Sequence, residues 1–331
     1  MANVLYATTV ELTTTIDGNE EVSISFPQSF NNAPIGATFI NDRNGGQAIA
    51  SRISYTNSSS GFVHMKEPDN QGHAQETVSA IFCEEGSWIL DNGLQVEAKT
   101  QTMGQYDVAF SGNTGTWVSV DFEYPFTDSP VVLADFYNGG ATADFAVPGI
   151  QNVTRTGFEM TMECAGAGTY TTIGSQDFGW IAVEPFDGSI GGSTLTADIM
   201  SSDGTNDGID DTSYPFFSSS LGTSGVPVVQ GRTRNDDDGY WPRGSGNWTA
   251  AGIEFVAEED QVNDNEQSHG SEAYSGLYLE DSTYYTGTDM EQAVVKAYDG
   301  SSWVKRPLRV WDGSDWRLYP VKNYDGSTWQ T

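Results

Sequence analysis

Lysine and arginine together number only 14 in a chain of 331 residues, yet Arg232, Arg234 and Arg243 fall in one short stretch beside Tyr240 and Trp241. Those residue types fit sugar recognition. Aromatic faces stack on the C–H faces of a sugar ring, while guanidinium forks grip hydroxyls or carboxylates. Arg232, Arg234, Tyr240, Trp241 and Arg243 are therefore the expected carbohydrate-binding surface. The competing reading pairs the arginines with Asp236 to Asp238 and uses the two rings to plug the end of a domain. Asp203, Asp207 and Asp210 are spaced like oxygen ligands along a glycine-rich loop, which is the chemistry of a Ca²⁺ site. The run lacks the terminal Glu of a full calcium loop and also reads as a solvated loop; no cofactor is required. His73-Ala74-Gln75-Glu76 and His269-Gly270-Ser271-Glu272 share a register. The ends of each motif would point to opposite faces of an extended segment, so a local structural hydrogen bond is expected rather than a metal or catalytic pair. No nucleophile elbow, P-loop, dinucleotide fingerprint or zinc-protease helix occurs, and an enzyme is not expected.

The elements that must hold these residues come in three copies. Pro34, Pro130 and Pro227 anchor them. Phe26, Phe30 and Gly61-Phe62 in the first copy match Phe122, Phe126 and Gly157-Phe158 in the second. In the third, Tyr214-Pro215-Phe216 repeats Tyr124-Pro125-Phe126, and Asn247 to Ile253 repeats Asn152 to Phe158, with an apparent insertion between Phe216 and Pro227. Each copy closes on an apolar strand ending in Glu84, Glu184 or Glu280. Along these strands Ile81 and Cys83, Ile181 and Val183, and Leu277 and Leu279 share one apolar face, whereas Ala80, Trp180 and Gly276 vary on the other. The constant face reads as core and the variable one as free to differ. Short alternating runs such as Val22 to Phe26 and Val118 to Phe122, punctuated by Gly, Asn, Asp and Ser, predict antiparallel β-structure. The fold class expected is all-β: three tandem antiparallel β-sandwich domains over 1–92, 93–187 and 188–283, then a short β-hairpin repeat tail over 284–331.

The net charge of −32 repels phosphate, so nucleic acid is not an expected partner. The aromatic content of 12% and the regular alternation argue for a folded chain whose acidic surface suits very high salt. Its melting temperature is expected to rise from millimolar to molar salt; thermal scans showing no change would contradict this reading. Cys83 and Cys164 occupy non-equivalent positions and read as two buried thiols. No apolar stretch is long enough to span a membrane and no secretory signal is read at the start, so membrane insertion is not expected.

The tail departs from the rest. Tyr298-Asp299-Gly300-Ser301-Ser302-Trp303, Trp311-Asp312-Gly313-Ser314-Asp315-Trp316 and Tyr324-Asp325-Gly326-Ser327-Thr328-Trp329 predict three hairpins turning at Asp-Gly. From 291 to 331 six basic residues face five acidic ones, so this end lacks the solvating charge found elsewhere. Trp303, Trp311, Trp316 and Trp329 are the expected attachment or oligomerisation residues.

The apolar alternating strand, Phe122-x-x-x-Phe126-x-x-x-Pro130, Asn152-x-Thr154-x-x-Gly157-Phe158 and the closing strand Gly179 to Glu184 together resemble the H-type lectin domain of discoidins and snail agglutinins. The second copy matches best. The resemblance implies a six-stranded antiparallel sandwich that forms trimers and binds carbohydrate through loops near subunit boundaries. The aromatic tail looks like segments at the ends of tailed-virus structural proteins. With the acidic composition, the chain looks like a virion protein of a virus of haloarchaea: a tail fibre or receptor-binding spike, on the particle surface, recognising host surface glycans or an S-layer glycoprotein, held to other virion proteins by its tail, and homotrimeric. The alternatives are a purely structural virion component and a cellular haloarchaeal lectin.

Overall fold

The computed structural model describes the chain except residues 1, 13–20, 69–72, 104–116, 138–144, 164–174, 202–214, 236–238, 260–268, 299, 301–302, 312–315, 319–322, 325–328 and 331. It is all-β and antiparallel, as the alternation of the sequence requires. Strands β1 (Ala2–Leu12), β2 (Val22–Ser25), β3 (Ile35–Ile40), β4 (Ala50–Asn57), β5 (Ser60–Lys66) and β6 (Glu76–Cys83) form module one. One of its sheets has the order β1-β6-β3 and the other β2-β5-β4, which makes a six-stranded sandwich. After a linking strand β7 (Gly86–Leu90), the pattern recurs in β8 (Gln95–Met103), β9 (Val118–Asp121), β10 (Val131–Phe136), β11 (Val147–Gln151), β12 (Gly157–Glu163) and β13 (Gln176–Val183). Following β14 (Phe186–Ile190), it recurs again in β15 (Ser193–Ser201), β16 (Phe216–Ser218), β17 (Gly225–Gly231), β18 (Trp241–Thr249), β19 (Gly252–Glu258) and β20 (Ala273–Glu280).

The variable face of each closing strand is not free. Ala80 and Phe82 pack inside the first sandwich, and Trp180 and Ala182 inside the second. The constant face does something else: Ile81, Cys83, Ile181, Val183, Leu277 and Leu279 meet in one cluster shared by all three modules. Ala7, Ala98 and Ala197, which face Ile81, Ile181 and Leu277 across the sheets, join that cluster. A small side chain at each of these places lets three sheets approach closely. Closing strand β13 packs on β3, β20 on β10, and β6 on β17, so the contacts run cyclically and the modules form a ring with pseudo-threefold symmetry. Near its axis Thr38, Ala134 and Val229 line a cavity of about 40 Å³ with Asp135 and Gln230, room for a water or two. The surface that three separate copies of such a module would bury on association is thus already buried within one chain.

Strand register revises the third copy. Ile35, Val131 and Val226 face Cys83, Val183 and Leu279, so the counterpart of Pro34 and Pro130 is Gly225 rather than Pro227. Tyr124-Pro125-Phe126 follows β9, whereas Phe216 opens β16, so those matching triplets occupy different places and no insertion remains between them. The Gly157 and Gly252 match does hold. A Cβ at either would stand 2.3 Å from Val120 O or 1.9 Å from Phe217 O, so the strands can pass only where the side chain is hydrogen. Asn152 and Asn247 donate to Glu159 and Glu254 beside those glycines, which makes the Asn-x-Thr-x-x-Gly motif a turn device.

Strand β21 (Tyr284–Asp289) closes the ring. It pairs with β1, Ala2 facing Gly287 and Tyr6 facing Tyr284, and on its other edge with β7. It stands where β7 stands to β8 and β14 to β15, so a boundary at 283/284 cuts the ring from its closing strand. Three hairpins follow, as predicted: β22 (Val294–Tyr298) with β23 (Trp303–Pro307), β24 (Arg309–Trp311) with β25 (Trp316–Leu318), and β26 (Asn323–Tyr324) with β27 (Trp329–Gln330). Tyr298 faces Trp303, Trp311 faces Trp316, and Tyr324 faces Trp329, each pair flanking an Asp-Gly of the sequence.

Candidate functional site

The expected sugar-binding surface is interior. Arg243 is wholly buried, its guanidinium bonded to Glu76 of module one at 2.7 Å and Glu258 of its own module at 2.8 Å, with Gln47 O and Asp42 O as further acceptors. Arg232 reaches across to Pro130 O and Ser129 Oγ of module two. Arg234 forks Glu163 of module two and lies over the Tyr240 ring, 4.2 Å from its centroid. Tyr240 is 1% exposed, and Trp241 is 6% exposed with its indole N–H on Ile49 O. The three arginines and Trp241 are struts between modules and Tyr240 packs inside module three against His269 and Tyr274, which corrects their reading as a surface. The partners of the arginines are distant glutamates and carbonyls; Asp236 to Asp238 lie outside the described residues, as do Asp203, Asp207 and Asp210 and with them the proposed Ca²⁺ loop. Among the described residues no group of three metal-ligating side chains converges.

The two His-Glu pairs also differ from expectation. Each His precedes its strand rather than lying on it, and so turns back: His73 Nδ1 comes within 3.3 Å of Glu76 Oε1, and His269 Nε2 within 3.4 Å of Glu272 Oε1. Both glutamates also hold equivalent loops, Glu76 accepting from Asn44 N and Glu272 from Asn235 N. Burial pulls the His269 imidazole down, but its bond to Glu259 at 2.6 Å and the nearby Glu272 outweigh this and push it up to about 9, against the opposing charge of Arg234. A group that gains affinity for its proton on folding stabilises the fold fully below its unfolded value of 6.5, and that stabilisation is lost as pH rises through 9. We expect a stability loss on the order of 2–3 kcal/mol across that window, measured by denaturant melts against pH, and a flatter profile in His269→Gln.

Cys83 is a buried free thiol, as expected, and Cys164 falls outside the described residues. Of the tail residues, Trp311 is 52% exposed; Trp303, Trp316 and Trp329 lie on strands whose side chains are outside the described set. Part of the tail docks on its own ring: Leu318 is buried with Ile89, Tyr124 and Met290, and Arg309 reaches Glu184 and Gln95. Val295, Tyr298, Val310 and Trp311 remain open to solvent.

A cleft of about 550 Å³ opens at the junction of modules three and one. Module one lines it with Thr9, Asn41 and Thr77, module three with Thr223, Ser224 and Trp248, and Asp281 stands at the edge. The indole of Trp248 is half-buried, braced edge-on against Tyr278 at 6.5 Å between centroids. Ser79 donates to Asn41 Oδ1, and among the described residues the amide nitrogen of Asn41 donates to none. Thr77 Oγ1 is bonded to Glu11 and Asp42, so carboxylates crowd the module-one side. One aromatic face among hydroxyls, an amide and a carboxylate, in a volume suited to a small molecule, is chemistry compatible with saccharide binding. Sequence reasoning missed it because its parts lie far apart in the chain, from Thr9 to Asp281.

The fold and site thus define a class: a ring of three six-stranded sandwiches carrying a polar cleft with one aromatic wall between modules. No family model matches the chain, and no solved structure does. The sequence is similar to halomucin of Haloquadratum walsbyi, 26% identical over 296 residues that cover 82% of this chain and 3% of halomucin. The chain therefore spans a small fraction of that relative's length.

Proposed function

We propose that this chain is a glycan-recognising module of an adhesion protein that works in concentrated brine outside the cell. The cleft between modules three and one carries the reading: it offers a stacking face in Trp248 and hydroxyl, amide and carboxylate partners within one volume. Asp281 in the lining, with Glu11 and Asp42 behind Thr77, disfavours uronic and sulfated sugars, so the ligand is a neutral or amino sugar. Molar salt leaves this selection in place at contact, since screening acts beyond roughly 3 Å at 1 M. The acidic surface supports the salty setting, and the tail, with its exposed Tyr298 and Trp311, supports attachment to a larger assembly.

The expected virion setting, as a tail fibre or spike, rests on the tail and the composition. A second reading, a surface protein of the halophile itself, draws support from the likeness to a protein whose name marks it as a mucin. A glycan array probed in molar KCl tests the binding itself. Neutral glycans are expected to bind, with Trp248→Ala weakening them by roughly 2 kcal/mol, about thirtyfold. Binding confined to sulfated glycans, or undiminished in Trp248→Ala, would remove the cleft from consideration.

A further inference from the structure

The three junctions of the ring are built alike but do not end alike. Asn41, Tyr137 and Arg232 are equivalent, because the backbone N–H of each donates to the carbonyl facing it across the closing strand, at Thr77, Asp177 and Ala273. Each stands where its module meets the one before it in the ring. At the junction of modules three and two, Arg232 fills the space and bonds to Pro130 O and Ser129 Oγ, the counterparts of Gly225 and Ser224. At the junction of modules two and one, Tyr137 stands in that place, half-buried against the central core. At the third junction the residue is Asn41, whose short side chain leaves the cleft open.

A second position points the same way. Ser60, Gly157 and Gly252 are equivalent, because the carbonyls just before them, at Ser59, Thr156 and Ala251, each accept from the neighbouring strand, and the residues four before these positions are Thr56, Val153 and Trp248. Val153 sits at the Arg232 junction, its carbonyl accepting from Ser129 Oγ. The aromatic wall therefore occurs at the junction that Asn41 leaves open, whereas the same wall position is a threonine or a valine at the two junctions that carry a large plug. Two independent positions, one on module one and one on module three, thus converge on a single site.

We infer that the ring binds one saccharide per chain, at the junction of modules three and one, with Asn41 setting the opening. This rests on the glycan reading and goes beyond it, since a ring of three like modules would otherwise present three boundary sites. A tyrosine at position 41 would reproduce what Tyr137 already does in the same fold, closing the cleft without a foreign shape.

The test is isothermal titration in molar KCl of the full chain with methyl glycosides of neutral hexoses and N-acetylhexosamines. A stoichiometry of one is expected, with Asn41→Tyr weakening binding at least about tenfold in a chain that still unfolds cooperatively. Two or three sites per chain, or full binding by a folded Asn41→Tyr, would overturn the inference while leaving glycan recognition intact. Absence of binding by the wild-type chain to every glycoside, with the array also blank, would overturn both. Should Asn41→Tyr fail to fold, Trp248→Ala decides: retained one-site binding there counts against this junction, and its loss supports it.

Discussion

Replacing Arg243 by methionine is expected to destabilise the protein by about 3–5 kcal/mol, the largest effect of any single side chain at the module junctions. The guanidinium is wholly buried and is shared by Glu76 of module one and Glu258 of module three. Methionine matches the stem but supplies no charge, so two buried carboxylates lose their counter-ion at once. Glu76 also holds Asn44 N and Gly45 N, so the loop it anchors loosens with it. The triple replacement of Arg243, Glu76 and Glu258 by apolar residues of like size is expected to recover much of the loss, because the charges then need no partner. Denaturant unfolding of the single and triple variants measures this directly. A single variant within about 1 kcal/mol of wild type would mean that water reaches the pair and that the junction is not sealed.

Truncation before Tyr284 is expected to abolish cooperative folding, whereas truncation after Tyr298 is expected to cost no more than about 3 kcal/mol. The first removes β21, which fills the gap between β1 and β7 and carries Tyr285, 1% exposed, with its hydroxyl on Thr194 O. Two apolar strand edges are then left open, a template for aggregation. The second removes hairpins that contribute Leu318 and the Arg309 contacts with Glu184 and Gln95 but leaves the ring closed. Size-exclusion chromatography and thermal melts of the two truncated chains separate these outcomes. Equal behaviour of both would place the end of the folded unit elsewhere.

Much of the architecture was legible in the residues. Period-two alternation marks the strands because one face of each is buried, and the closing strands revealed their shared apolar face by repetition. The tail hairpins were legible because Asp-Gly admits so few backbone paths. What the sequence concealed was the direction of each face. Nothing in Ile81 or Phe82 says which packs within a sandwich and which meets another module. Nor does an arginine carry a mark of its partner: Glu76 lies 167 positions from Arg243. The same blindness displaced the third proline, since Pro227 fits the repeat by spacing while strand register assigns its place to Gly225. The cleft was invisible for a further reason. It exists because a side chain at position 41 is small, and a pattern read from what residues can do does not register what one of them leaves empty.

The closing pair of strands has a mechanical consequence. Ala2 and Gly287 face each other, so the first and last strands of the ring meet at one point, like the two halves of a clasp. Tension between the two sides of that point does not stretch the three sandwiches. It acts at one end of the β1 and β21 pair, where bonds yield one after another rather than all together. A ring pulled at these two points would therefore first surrender its clasp, lengthening while the module one and three walls are still folded.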